Sequence, residues 1–148
     1  MKASLRLALA LGVAVAACGG GATAPSPTSF AGSWRATKVE YVSIANPATK
    51  IDVIAQGATL TVQLNAGGSY SSVMTIPGEP QENTTGTWSA SSDIFTMHWL
   101  EGAIPNEMQF DYALGSSTLT LTGADTDFDF AGTGQSQAAK LNVTLVRQ

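Results

Sequence analysis

A chain of 148 residues with 7 basic and 11 acidic side chains, one histidine and one cysteine is a small acidic protein, of formal charge −4. That balance argues against nucleic acid as a partner, because basic groups at phosphates supply most of that affinity, and against electrostatic docking on anionic lipid. A single cysteine excludes an internal disulfide framework and thiolate metal sites, so an exported fold would have to rest on its hydrophobic core.

The first six residues carry Lys2 and Arg6 and no acid, and residues 7–17, LALALGVAVAA, are uncharged. A membrane-spanning helix needs about 20 apolar residues, so this run is too short and reads as a secretory signal. It ends in Val15-Ala16-Ala17-Cys18, which resembles the lipobox of bacterial lipoproteins. The resemblance implies that residues 1–17 are cleaved and that Cys18 is lipidated and becomes the first mature residue. The expected address is then the cell envelope, at the outer membrane on its periplasmic or surface side. Two acyl chains anchor stably where one does so marginally, so no spanning helix is required. Losing Lys2 and Arg6 leaves five basic against eleven acidic residues, a formal charge of −6. Residues 19–29, GGGATAPSPTS, have no apolar periodicity, and residues 18–29 should form a flexible tether.

From Phe30 the pattern has period two. Leu60, Val62 and Leu64 alternate with Thr59, Thr61 and Gln63, and Phe95, Met97 and Trp99 share a face. So do Met108, Phe110, Tyr112 and Leu114, and likewise Leu141, Val143 and Leu145. Such alternation marks antiparallel strands with one face to the core and one to water. Strands are expected near 32–43, 51–55, 58–64, 69–76, 82–89, 93–100, 107–114, 117–122, 125–131 and 139–147, with residues 45–57 open to strand or short helix. NAGGS at 65–69 and LGSST at 114–118 read as tight hairpins, and the segments at 76–82 and 102–107 as longer proline loops. Many short meandering strands over 30–148 predict one all-β domain, a small antiparallel up-and-down barrel of about 8–10 strands or a sandwich.

Gly32-Ser33-Trp34 opens the first of these strands, and Gly86-Thr87-Trp88 repeats the Gly-x-Trp pattern. In this the chain resembles a lipocalin-type domain, as carried by many small bacterial lipoproteins. The resemblance implies that Trp34 closes the barrel base and that an arginine of the last strand packs over it. Arg147 is in phase with Leu141, Val143 and Leu145, an expensive position unless its head is satisfied and its plane stacked. Gly32, Trp34 and Arg147 are therefore expected to be structural.

Little in the chain carries chemistry. His98, between Met97 and Trp99, should point away from the core. Asp125, Asp127 and Asp129 have the first three spacings of a calcium loop, yet Phe130 and Ser136 stand where glycine and a bidentate glutamate are needed. They read as the wet face of a strand whose Phe128 and Phe130 turn inward, with a loosely bound cation as a weak alternative. No nucleophile motif, phosphate loop or histidine cluster is present, so no catalytic residue and no cofactor is expected. The leading expectation is a barrel binding a small apolar ligand, walled by Phe95, Met97, Trp99, Met108, Phe110 and Tyr112. The alternative is a solidly packed, non-enzymatic module that binds another envelope protein.

Overall fold

A computed structural model describes residues 23–148; the expected signal segment at 1–17 and Cys18 lie outside the described residues. After a one-turn helix α1 (Pro27–Phe30) the chain runs through β1 (Gly32–Ser43), β2 (Lys50–Asp52), β3 (Thr59–Leu64), β4 (Ser69–Thr75), β5 (Glu82–Ala90), β6 (Ile94–Glu101), β7 (Ile104–Leu114), β8 (Thr118–Phe128) and β9 (Gln137–Arg147). Neighbouring strands pair antiparallel in the order β2-β1-β3-β4-β5-β6-β7-β8-β9, and β9 pairs back onto β1. Eight strands therefore close an up-and-down barrel and β2 is an extra edge on it. Closure leaves the eight barrel strands without an open edge.

One end of the barrel, the base, carries the turns at residues 65–68, 91–93 and 115–117. The other, the mouth, carries the β1–β3 connection with β2 and the turns at 76–81, 102–103 and 129–136. β3 pairs β1 only as far as Arg35, and above it β2 pairs residues 40–42. In the gap the Val39 N–H donates to the Asp52 carboxylate at 3.2 Å and the Val39 carbonyl accepts from Val53 at 3.0 Å. Backbone groups that a straight ladder would orphan are thus satisfied.

Four sequence expectations change here. The strands expected at 117–122 and 125–131 are one strand, β8, whose register shifts between Leu121 and Ala124. Asp129 therefore sits in the turn beyond β8 and not along a strand. The proline loop at 102–107 is a two-residue turn, because β7 starts at Ile104 and Pro105 pairs with Leu100; next to a hairpin end a missing N–H is tolerated. Residues 51–55 contribute only the short β2 and a turn. Finally, Pro27–Phe30, most of which composition assigns to the tether, form a helical turn with proline at its start, the position where a fixed φ and a missing N–H do no harm.

The outer wall is tied by ion pairs. Lys38 Nζ lies 2.7 Å and Lys50 Nζ 3.7 Å from Glu40 Oε1. The hydrogen bond from Lys38 holds the Glu40 carboxyl below its ordinary value of 4.5 against the opposing effect of burial, with further help from the charges of Lys38 and Lys50 and from Asn142. A depressed folded-state pKa adds stability above the unfolded value that is lost as pH falls through the folded one. Glu40→Gln should therefore melt lower than wild type at pH 7, by up to about 1 kcal/mol. The gap should shrink as pH drops below 4.5; thermal melts of both proteins across that range check it.

Candidate functional site

The base is closed by one cluster built from both ends of the domain. Trp34 and Phe30 are completely buried, and the Trp34 indole N–H donates to the Phe30 carbonyl at 2.8 Å. The Arg147 guanidinium lies over the Trp34 ring, 4.3 Å from its centroid, and donates to the carbonyls of Ala31 and Ser29. Gly32, at φ +141°, has no room for a side chain because Arg147 occupies that space. The first Gly-x-Trp thus makes one structural unit with Arg147. In the second, a Cβ at Gly86 would meet the His98 carbonyl and the Tyr70 ring, and the Trp88 indole donates to Asn65 and Ser69 carbonyls, both at 3.1 Å. Phe30 rises between Trp88, Phe95 and Tyr112, with ring centroids 5.3, 5.6 and 5.4 Å away.

Above this floor is an apolar cavity of about 130 Å³. Phe95, Met97, Met108 and Phe110 form one side, and Leu121 and Val143 are among the residues facing them. Ser72 is the one polar residue in the lining. Leu60, Met97, Met108 and Leu141 are only half-buried although they pack on the core, so the cavity reaches solvent through the mouth. Four of the six residues expected as a ligand wall line it. The other two do not: Tyr112 belongs to the floor against Phe30, its hydroxyl donating to Ser91 at 2.7 Å. Trp99 stands one step higher, at two open depressions of about 430 and 460 Å³ near the rim.

Sequence alternation missed Tyr41 and placed Phe128 inward on a separate strand. On β1 the inward positions Trp34 and Ala36 give way, across a register shift between Ala36 and Lys38, to Val39 and Tyr41. On β8 the inward Leu119 and Leu121 give way, across the shift before Ala124, to Ala124 and Phe128. Each bulge inserts a residue and re-aims the side chains beyond it. Together they bring Tyr41 and Phe128 face to face at the mouth, 4.1 Å apart and nearly parallel, with Phe130 edge-on to Phe128 at 5.0 Å.

The polar candidates lie apart. His98 is outside the barrel and half-exposed, its Nδ1 3.3 Å from a Glu107 oxygen. Asp125 pairs with Lys140 at 2.6 Å and Asp127 is exposed. Asp129 accepts from Ala131 and Gly134 backbone N–H groups. Desolvation raises its carboxyl, but the N–H groups of residues 131–134 outweigh that and hold it below its ordinary value. Its oxygens are used in organising the turn, and among the described residues no three acidic, histidine or cysteine side chains converge on a metal position. No family model matches the chain, and no curated protein sequence does.

Proposed function

We propose that this is a lipid-anchored protein of the bacterial cell envelope whose lipocalin-like barrel binds a small apolar molecule and catalyses no reaction. The observation that carries the binding half is the cavity of about 130 Å³ with its almost wholly apolar lining. An apolar cavity of about that size admits benzene-sized guests, whereas drug-sized ligands need roughly 300 Å³ or more. The occupant class is therefore a compact apolar molecule or one apolar end of a longer one.

The anchoring half rests on the lipobox at Val15–Cys18 and fits the way the chain meets the barrel. Nine Cα–Cα steps separate Cys18 from Pro27, which even fully extended reach about 32 Å and as a coil average about 17 Å. Eleven-residue strands at ordinary tilt make a barrel roughly 28 Å tall. Because α1 lies under the base, a lipidated Cys18 holds the base toward the bilayer and the mouth toward the aqueous phase.

Two measurements test this. Labelled palmitate should enter wild type, and Cys18→Ala should abolish labelling and release the chain from membranes; continued labelling contradicts the anchor. Toluene should change the tryptophan fluorescence saturably, because Trp88 stacks on Phe95, a cavity wall, at 5.4 Å. Absence of any response contradicts the binding reading. A second reading, docking of another envelope protein, is favoured by Leu100 and Ile104, 66 % and 67 % exposed beside the β6–β7 turn; a stoichiometric protein partner together with a silent titration would select it.

A further inference from the structure

The mouth has two unlike sides. One is aromatic: Tyr41 stacked on Phe128, itself against Phe130. The other is acidic: Glu82 and Glu101 line one rim depression of about 460 Å³ together with Trp99. Both acids continue inward-facing rows. Glu82 is two and four residues from Thr84 and Gly86 on β5, and Glu101 is two and four residues from Trp99 and Met97 on β6. Neither pairs with a basic residue among those described. Lys38 and Lys50 are held by Glu40, Lys140 by Asp125, and Arg35 and Arg147 lie toward the base. The Glu82 charge is felt at the centre of the mouth: burial raises the Tyr41 hydroxyl pKa and Glu82 raises it further.

The inward rows that end at this rim run down to the cavity below it. Met74 pairs with Glu82 on one side and with Leu60, a cavity wall, on the other. Met97, also a cavity wall, is one inward step below Trp99, a separation of about 7 Å. An apolar group in the cavity therefore carries a head group four bonds away to about the level of Trp99, one inward step below Glu101, from where the flexible Glu82 and Glu101 side chains can turn down to meet it. Unneutralised carboxylates beside aromatic faces attract an ammonium by charge and by the ring quadrupole, and repel a carboxylate.

We infer that the cavity selects apolar amines: a compact hydrophobic group seated between Phe95, Met97, Met108 and Phe110, with a positively charged head at Glu82, Glu101 and Trp99. This rests on the reading of the cavity as a ligand site and adds the chemical class of the ligand. The bulges in β1 and β8 then have a role, since they set the aromatic wall opposite the acids.

The test uses three probes sharing a phenylpropyl body, titrated calorimetrically into the full chain: 3-phenylpropylammonium, neutral propylbenzene and 4-phenylbutyrate. The ammonium should bind about three- to tenfold more tightly than the neutral probe at low salt, the range expected of exposed cation–π and ion-pair contacts, with the carboxylate weakest. The preference should collapse in high salt and in the Glu82→Gln/Glu101→Gln variant, while propylbenzene affinity and melting temperature stay unchanged. Equal affinities, or a preference for the carboxylate, overturn the amine selectivity and leave the cavity reading standing. An ammonium preference that survives the double substitution overturns the assignment to these acids. Failure of all three probes to bind removes both readings.

Discussion

Trp34→Ala should lower the stability of the domain by about 3–5 kcal/mol, the range for deleting a large buried aromatic side chain, and its melting temperature by roughly 10–20 °C. Three losses coincide at this position. The side chain is fully buried, so its removal leaves a void at the base. The Phe30 carbonyl loses the indole N–H that donates to it at 2.8 Å, and a buried acceptor without a partner is costly. Arg147 loses the ring beneath its guanidinium. Two companion variants separate these terms. Trp34→Phe keeps most of the volume but not the N–H, and should cost about 1–3 kcal/mol. Arg147→Lys keeps the charge but not the planar fork that reaches both Ala31 and Ser29 carbonyls, so it should not restore wild-type stability. Urea unfolding followed by circular dichroism orders the set. A Trp34→Ala protein within 1 kcal/mol of wild type would contradict the role given to the base.

Phe30→Ala should cost nearly as much, about 3–5 kcal/mol, although it changes a residue outside every strand. Its ring is completely buried and touches Trp88, Phe95 and Tyr112 at once. Because Phe95 also faces the cavity, the substitution should loosen the cavity floor as well as the fold. Toluene affinity is expected to fall in Phe30→Ala even at temperatures where the protein remains folded. Phe30→Leu, which fills most of the space, should restore stability to within about 1.5 kcal/mol and recover binding. Near-ultraviolet circular dichroism reports whether the Trp88–Phe95 stack at 5.4 Å persists in each variant. Unchanged stability in Phe30→Ala would place the start of the folded unit after this residue.

Alternation alone carried the strands, because a barrel of this size has one apolar face per strand and the period is two. It read the large apolar side chains of the inward faces of β6, β7 and β9, including the phase that points Arg147 at Trp34. Where alternation breaks, legibility ends. Tyr41 is out of step with Trp34 and Ala36, and only the register shift before Lys38 turns it inward. On β8 the shift around Gly123 made one strand look like two. Phase also gives the face of a strand but not the height along the barrel. Phe95 pairs with Phe110 and Met97 with Met108, whereas Trp99 meets Asn106 near the mouth and Tyr112 lies nearer the base. Six side chains on one face therefore spread from floor to rim, and four of them share the cavity. The helical turn at Pro27 had a local signal, proline at the first helical position, submerged in a stretch whose composition reads as tether. The acidic rim had no sequence signal, since Glu82 and Glu101 come together only through the β5–β6 pairing.

The central claim is that the barrel interior keeps a small apolar space able to hold a guest. Diffraction from crystals of the protein under xenon pressure tests it most directly, because xenon enters apolar cavities of this size. Xenon density is expected between Phe95, Met97, Phe110, Leu121 and Val143, with the surrounding side chains unmoved. An interior with no xenon at saturating pressure, its space closed by Met97 and Met108, would show a solidly packed barrel and contradict the account.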